Sequence, residues 1–144
     1  MECKRLLRSG GILRLTESGH ISTNSSSYQL LNALLFEAMR KAGYGFSLDG
    51  MLDMPFMLPH FREAGYHQIE IMPCVLEVSH QTEAWMHFCQ IALVGHKQAQ
   101  PFLIETGVAE QQELDLLYSR MDEEIRAESF FGLWHLFTVQ GANL

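Results

Sequence analysis

The chain has 144 residues, 47% of them hydrophobic and 19% charged, and its 10 basic and 17 acidic side chains give a formal net charge of −7 at pH 7. That length limits it to one domain at most, and the apolar content is too high for a chain disordered throughout. The acidic balance supplies no long-range attraction for nucleic acid or an anionic membrane surface, so neither is expected as a partner.

MECKRLL reads as the end of a helix, and Arg8-Ser9-Gly10-Gly11 as the turn that feeds a short strand from Ile12 to Thr16. Small polar residues make Gly19 to Ser27 a loop. Then Tyr28, Leu31, Leu34, Leu35, Ala38, Met39 and Ala42 recur at helical spacing, so a helix is expected over about 27–43, capped by Ser27, ended by Gly43 and basic in its last turn through Arg40 and Lys41. A second loop follows between Tyr44 and Asp53. Leu58, Phe61 and Ala64 mark a short helix ended by Gly65, with Pro59 expected near its first turn.

Alternation from Gln68 to Val78, interrupted by Pro73, predicts an edge or broken strand, because proline cannot donate to a sheet ladder. Thr82 to Ala99 reads as a helix with Trp85, Phe88, Cys89 and Ala92 on one face, and Pro101 is expected to restart a short one that ends at Gly107. Leu114, Leu117, Tyr118, Met121 and Ile125 form the apolar stripe of a further helix that is acidic at its start. The remaining charges from Glu110 to Glu124 read as a solvated helix face. The uncharged run Phe130 to Val139 predicts a strand covered on both faces. The order of strand, two helices, strand, helices and strand is an α/β pattern with three strands.

Cys3, Cys74 and Cys89 are odd in number and lack metal-ligand spacing, and no apolar signal stretch opens the sequence, so a reduced, cytoplasmic setting is expected. The longest uncharged apolar segment, Ala84 to Gly95, falls short of the roughly 20 residues a bilayer span needs. His80 and His87 can share a helix face, but Cys89 is rotated about 200° from His87, His96 points elsewhere and no carboxylate completes a set; no metal site is expected. Only Cys3, beside Lys4 and Arg5, has a basic setting readable from sequence, and the helix it sits on is truncated, so no cysteine is expected as a nucleophile. His135, in an apolar strand, reads as a hydrogen-bonded core histidine.

CKRLLRSGGILRLTES resembles the end of the fourth helix and the fifth strand of class I S-adenosylmethionine-dependent methyltransferases, with Ser9 where the family usually has proline. FREAGYHQIEI resembles the family's approach to its sixth strand, and SFFGLWHLFTVQGAN its seventh. ETGVAEQQELDLLYSRM is similar to the extra helices that a subgroup acting on small molecules carries between those two strands. The resemblance implies that residues 1–144 form one partial methyltransferase domain of Rossmann-like fold. It would be the acceptor-side C-terminal half, with the 27–43 helix as a lid, helices on both faces, and the seventh strand antiparallel between the fifth and sixth.

It further implies methyl transfer from S-adenosylmethionine to a small molecule. The family holds its cofactor on a glycine-rich loop after the first strand, and no residue here corresponds to it. Gly10 and Gly11 precede a strand, whereas a cofactor loop follows one and opens a helix so that its backbone N–H groups face the ligand. The resemblance therefore places cofactor binding in an N-terminal half. The Ile12 to Thr16 strand is expected to bind that half, or to self-associate, for instance as a dimer.

Glu17 and Ser18 at the end of the first strand, His20 beyond it, and Tyr28 and Tyr44 on and after the lid helix are the candidate acceptor contacts, with Glu17 or His20 orienting a hydroxyl or amine or taking its proton. The alternative leaves Glu17 and His20 as solvated loop residues, and the lid as a core helix. At the level of the whole chain, the alternative to an enzyme is a non-catalytic methyltransferase-like module that acts through association.

Overall fold

The computed structural model describes residues 2–44 and 54–144; most of the expected second loop lies outside them. Eight elements follow in order: α1 (Glu2–Leu6), β1 (Gly11–Thr23), α2 (Ser26–Lys41), α3 (Met54–Glu63), β2 (His67–Glu77), α4 (Trp85–Glu105), α5 (Gln111–Arg126) and β3 (Gly132–Asn143). The last strand is the middle one. The sheet order is β1-β3-β2, with β3 antiparallel to both neighbours, so β1 and β2 run parallel to each other across it.

Side chains alternate between the two faces of a strand, and this divides β3 between two cores. On one face Trp134 packs, with Ile21 of β1, against a core formed by Tyr28, Leu31 and Ala38 of α2, Phe88, Cys89, Ala92 and Leu103 of α4, and Leu114, Met121 and Ile125 of α5. On the other face Val139 meets Phe61 of α3 and Tyr66, flanked by Leu7 and Leu13. Helices therefore lie on both faces of a three-stranded sheet. The two layers reach opposite ends of β3, so its residues from Leu133 to Thr138 are half-buried, where a strand covered on both faces was expected.

Other departures from the sequence reading have local causes. β1 continues to Thr23 through the segment read as loop, because an irregularity between Ser18 and Ile21 restores its pairing with Trp134, Leu133 and Gly132. Gly19 permits this: a Cβ there would lie 2.6 Å from the Phe137 ring. α2 is capped by Ser25, two residues before the expected Ser27, with Ser25 Oγ accepting from the Tyr28 N–H at 3.2 Å. It ends as expected at Gly43, whose φ of +84° allows the Gly43 N–H to reach the Arg40 carbonyl at 3.1 Å and the Tyr44 N–H to reach that of Met39 at 3.0 Å.

Pro59 lies inside α3 instead of near its first turn, since the helix begins upstream at Met54. Pro101 interrupts nothing: α4 runs unbroken through it, because His96, Gln100 and Leu103 continue the buried face of Phe88, Cys89 and Ala92. Tertiary burial there outweighs the propensity penalty of about 3 kcal/mol for a helix-interior proline. Pro73 sits in an edge strand, where its missing N–H costs no ladder bond. Among the described residues no helix is long and apolar enough to cross a membrane.

Candidate functional site

The carboxyl ends of the parallel strands β1 and β2 lie together where β3 begins, the side on which open α/β sheets place their ligand contacts. The segment Glu17–Tyr28 supplies most of the polar groups there. Ser18 Oγ accepts from the Trp134 indole N–H at 2.7 Å, so this hydroxyl positions a core aromatic. Glu17, the next residue along the strand, faces the opposite side, is exposed and lies across from Phe137. His20 is exposed at the irregularity in β1. Ser22 Oγ stands 3.4 Å from His135 Nε2, which gives the half-buried His135 its partner.

Asn24 closes this end of the sheet. Its side-chain N–H₂ donates to the Ser129 carbonyl at 2.8 Å, and its Oδ1 accepts from the Phe131 N–H at 2.9 Å. Beyond it, Ser25, Ser26 and Ser27 surround the carboxylate of Glu124 on α5. Burial raises the Glu124 pKa, but the opposing hydrogen bonds from Ser25, Ser27 and Ser26 prevail and hold it below the ordinary carboxylate value. Reading the run from Glu110 to Glu124 as a solvated face therefore misses Glu124, which ties α5 to the start of α2.

Tyr28 is 5% exposed, its ring 5.5 Å from that of Phe88 and 5.3 Å from that of His96. Burial raises its phenol pKa, with a hydrogen bond to Asn32 opposing. Tyr44 is exposed past the far end of α2, about 24 Å from Tyr28 at 1.5 Å per residue. Glu17, Ser18 and His20 thus share a short stretch of strand but not a face. Tyr28 belongs to the helical core and Tyr44 to the opposite end of its helix.

Two further features lay outside the sequence reading. His96 is 6% exposed and Gln100 4%, one helical turn apart, and His96 Nδ1 and Gln100 Nε2 are buried without a partner. Desolvation lowers the His96 pKa to about 4, so the imidazole is neutral at physiological pH. Elsewhere a cleft of about 600 Å³ opens between α1, α3 and the end of β3, lined by Lys4, Arg5, His60, Glu63, Ala64 and Asn143. Its polar groups are engaged: Lys4 Nζ donates to the Gly65 carbonyl at 2.7 Å, Arg5 pairs with Glu2, and His60 stands 3.5 Å from Glu63. Among the described residues no group of three or more His, Cys, Asp or Glu side chains is placed to hold a metal ion. Comparison with known family profiles finds no match, and comparison with curated proteins finds none.

Proposed function

We propose that these residues form the acceptor-side half of a class I S-adenosylmethionine-dependent methyltransferase that acts on a small molecule. The observation that carries the reading is the sheet: β3 antiparallel between two parallel strands, with the outer edge of β1 unpaired where an N-terminal half would add its strands. The helices on both faces of the sheet support it. In this reading a reducing, cytoplasmic compartment accommodates the free thiols of Cys3, Cys74 and Cys89.

The residues in hand do not fit the cofactor itself. Gly10 and Gly11 lead into β1 and open no helix after a strand, so no backbone N–H cradle for S-adenosylmethionine is formed from them. Cofactor binding is assigned to polypeptide outside residues 1–144, and no step of the transfer is routed through these side chains. Their part is on the acceptor side, where Glu17 and His20 are accessible to orient a hydroxyl or amine. Ser18 acts there through its hold on Trp134.

A second reading, a module that acts through association alone, is favoured by the apolar side chains the sheet leaves in solvent, Ile12 and Leu15 on β1 and Ile71 and Val75 on β2. One experiment separates the two. The tagged chain is isolated by itself and also captured with whatever binds it in cells, and each sample is photo-cross-linked with radiolabelled S-adenosylmethionine. The methyltransferase reading expects label in the captured complex and none on the isolated chain; an unlabelled complex overturns it in favour of the association module.

A further inference from the structure

The first turn of α2 links two titratable groups on different helices. Glu124 of α5 takes four donors from it: Ser25 Oγ at 2.6 Å and the Ser27 N–H at 3.0 Å on one carboxylate oxygen, and Ser27 Oγ at 2.8 Å and Ser26 Oγ at 3.4 Å on the other. Ser25 Oγ in turn accepts from the Tyr28 N–H at 3.2 Å, which fixes the start of the helix. The Tyr28 ring then meets His96 of α4 edge to face, with centroids 5.3 Å apart and planes at 87°. A continuous chain of contacts therefore runs from Glu124 through Ser25 and Tyr28 to His96. No second copy, ligand or metal is needed to complete it.

We propose that this turn is an acid-operated latch: a proton taken up by Glu124 or His96 unseats Tyr28 and releases the start of α2 from α4 and α5, while the sheet stays paired.

The chemistry at each end has the same sign. Four donors converge on Glu124, so its carboxylate is favoured as an anion; a protonated oxygen gives up acceptor capacity toward them and needs an acceptor itself, while the Ser27 N–H offers none and Ser25 Oγ already accepts from the Tyr28 N–H. Among the described residues no ion pair joins Glu124 to a cation, and the flanking charges on α5 lie elsewhere, with Arg126 on Asp122. His96 is enclosed with the aromatic ring of Tyr28 on the α2 side. On α4 its neighbours are Lys97, itself a cation, and the amide of Gln100. On α5 the nearby carboxylate, Asp115, already pairs with Lys97 at 3.6 Å, and Lys97 lies over the Tyr118 ring at 5.4 Å. Among the described residues no carboxylate is paired with His96.

Both groups are easier to protonate once released, so the closed turn is favoured at neutral pH. It loses ground as pH falls from about 6.5 toward 4 for His96, and below the ordinary carboxylate range for Glu124. Release would uncover Tyr28, Leu31 and Phe88.

The test is amide hydrogen exchange on the full chain at pH 7 and pH 5, corrected for intrinsic rates, together with an NMR titration of the His96 ring. The latch expects opening of residues 27–31 to rise about 20-fold between the two pH values, since each unit of pKa shift is worth tenfold. Exchange at Thr138, Val139 and Gln140 in β3 should stay unchanged. His96→Leu should remove that rise, and Glu124→Gln should leave the turn open at both pH values. An equal rise in α2 and β3, or a His96 ring that titrates near its ordinary value while α2 exchange stays flat, overturns the proposal. If the leucine variant fails to fold, the wild-type titration and exchange decide the matter by themselves.

Discussion

Among the many charges of α5, Glu124 differs from Glu123 only in helical phase: it stands beside Ile125 and one turn beyond Met121 and Arg120, turned toward α2. Sequence shows the serine run and the acidic run separately, and nothing local says that partners 97 to 99 residues apart will meet. Replacing Ser25 by alanine removes the cap of α2 and one of these bonds together; the expected loss is about 1–2 kcal/mol, read as a lower urea midpoint at unchanged slope. The opposite logic holds at Tyr66, whose hydroxyl is buried without a partner. Tyr66→Phe deletes a polar atom that gains nothing from the fold, so its urea midpoint is expected to equal or exceed that of the parent protein. His96 and Gln100 were equally hidden from sequence reading, because a polar residue on an apolar helix face announces neither burial nor the absence of a partner.

At the scale of elements, hydrophobic periodicity locates all three strands and the four longer helices, with α4 split in two at Pro101 and α2 most nearly at its true bounds. It failed where long-range contacts decide. The stretch Gly19 to Thr23 is small and polar, yet it is strand because β3 supplies partners up to Gly132. Pro101 reads as a breaker, yet the buried face of α4 carries the helix through it. Relieving the proline without touching that face should therefore help: Pro101→Ala is expected to raise stability by about 1–3 kcal/mol, visible as a higher thermal midpoint. The candidate acceptor residues fared differently from the elements that carry them. Adjacent strand residues such as Glu17 and Ser18 point to opposite faces, and Tyr28 lies at the buried start of an amphipathic helix; neither arrangement can be read from their closeness in sequence.

At the scale of the molecule, the sheet order is legible only through likeness to a known strand arrangement, since periodicity locates strands without saying which are neighbours. One of its two edge strands, β1, leaves Ile12 59% and Leu15 39% exposed. A lysine at an edge discourages strand addition, so Leu15→Lys should weaken any association along this edge by at least about tenfold, measured by sedimentation across a concentration series. An unchanged distribution of species would place association elsewhere on the protein.

The central position of β3 also governs when the fold can form. Arg14 meets Gln140 across 126 residues, and β1 and β2 are each hydrogen-bonded to β3 and not to each other. On the ribosome, β1 and β2 and their helices emerge before the strand that lies between them, and their pairing with β3 must wait until it has left the exit tunnel. Closing contacts so distant in sequence is slow, and both future edges stay open meanwhile. Between synthesis of α5 and release of β3, the edges of β1 and β2 that β3 will occupy are open to other chains. Chaperone demand should track that delay more closely than the stability of the finished fold.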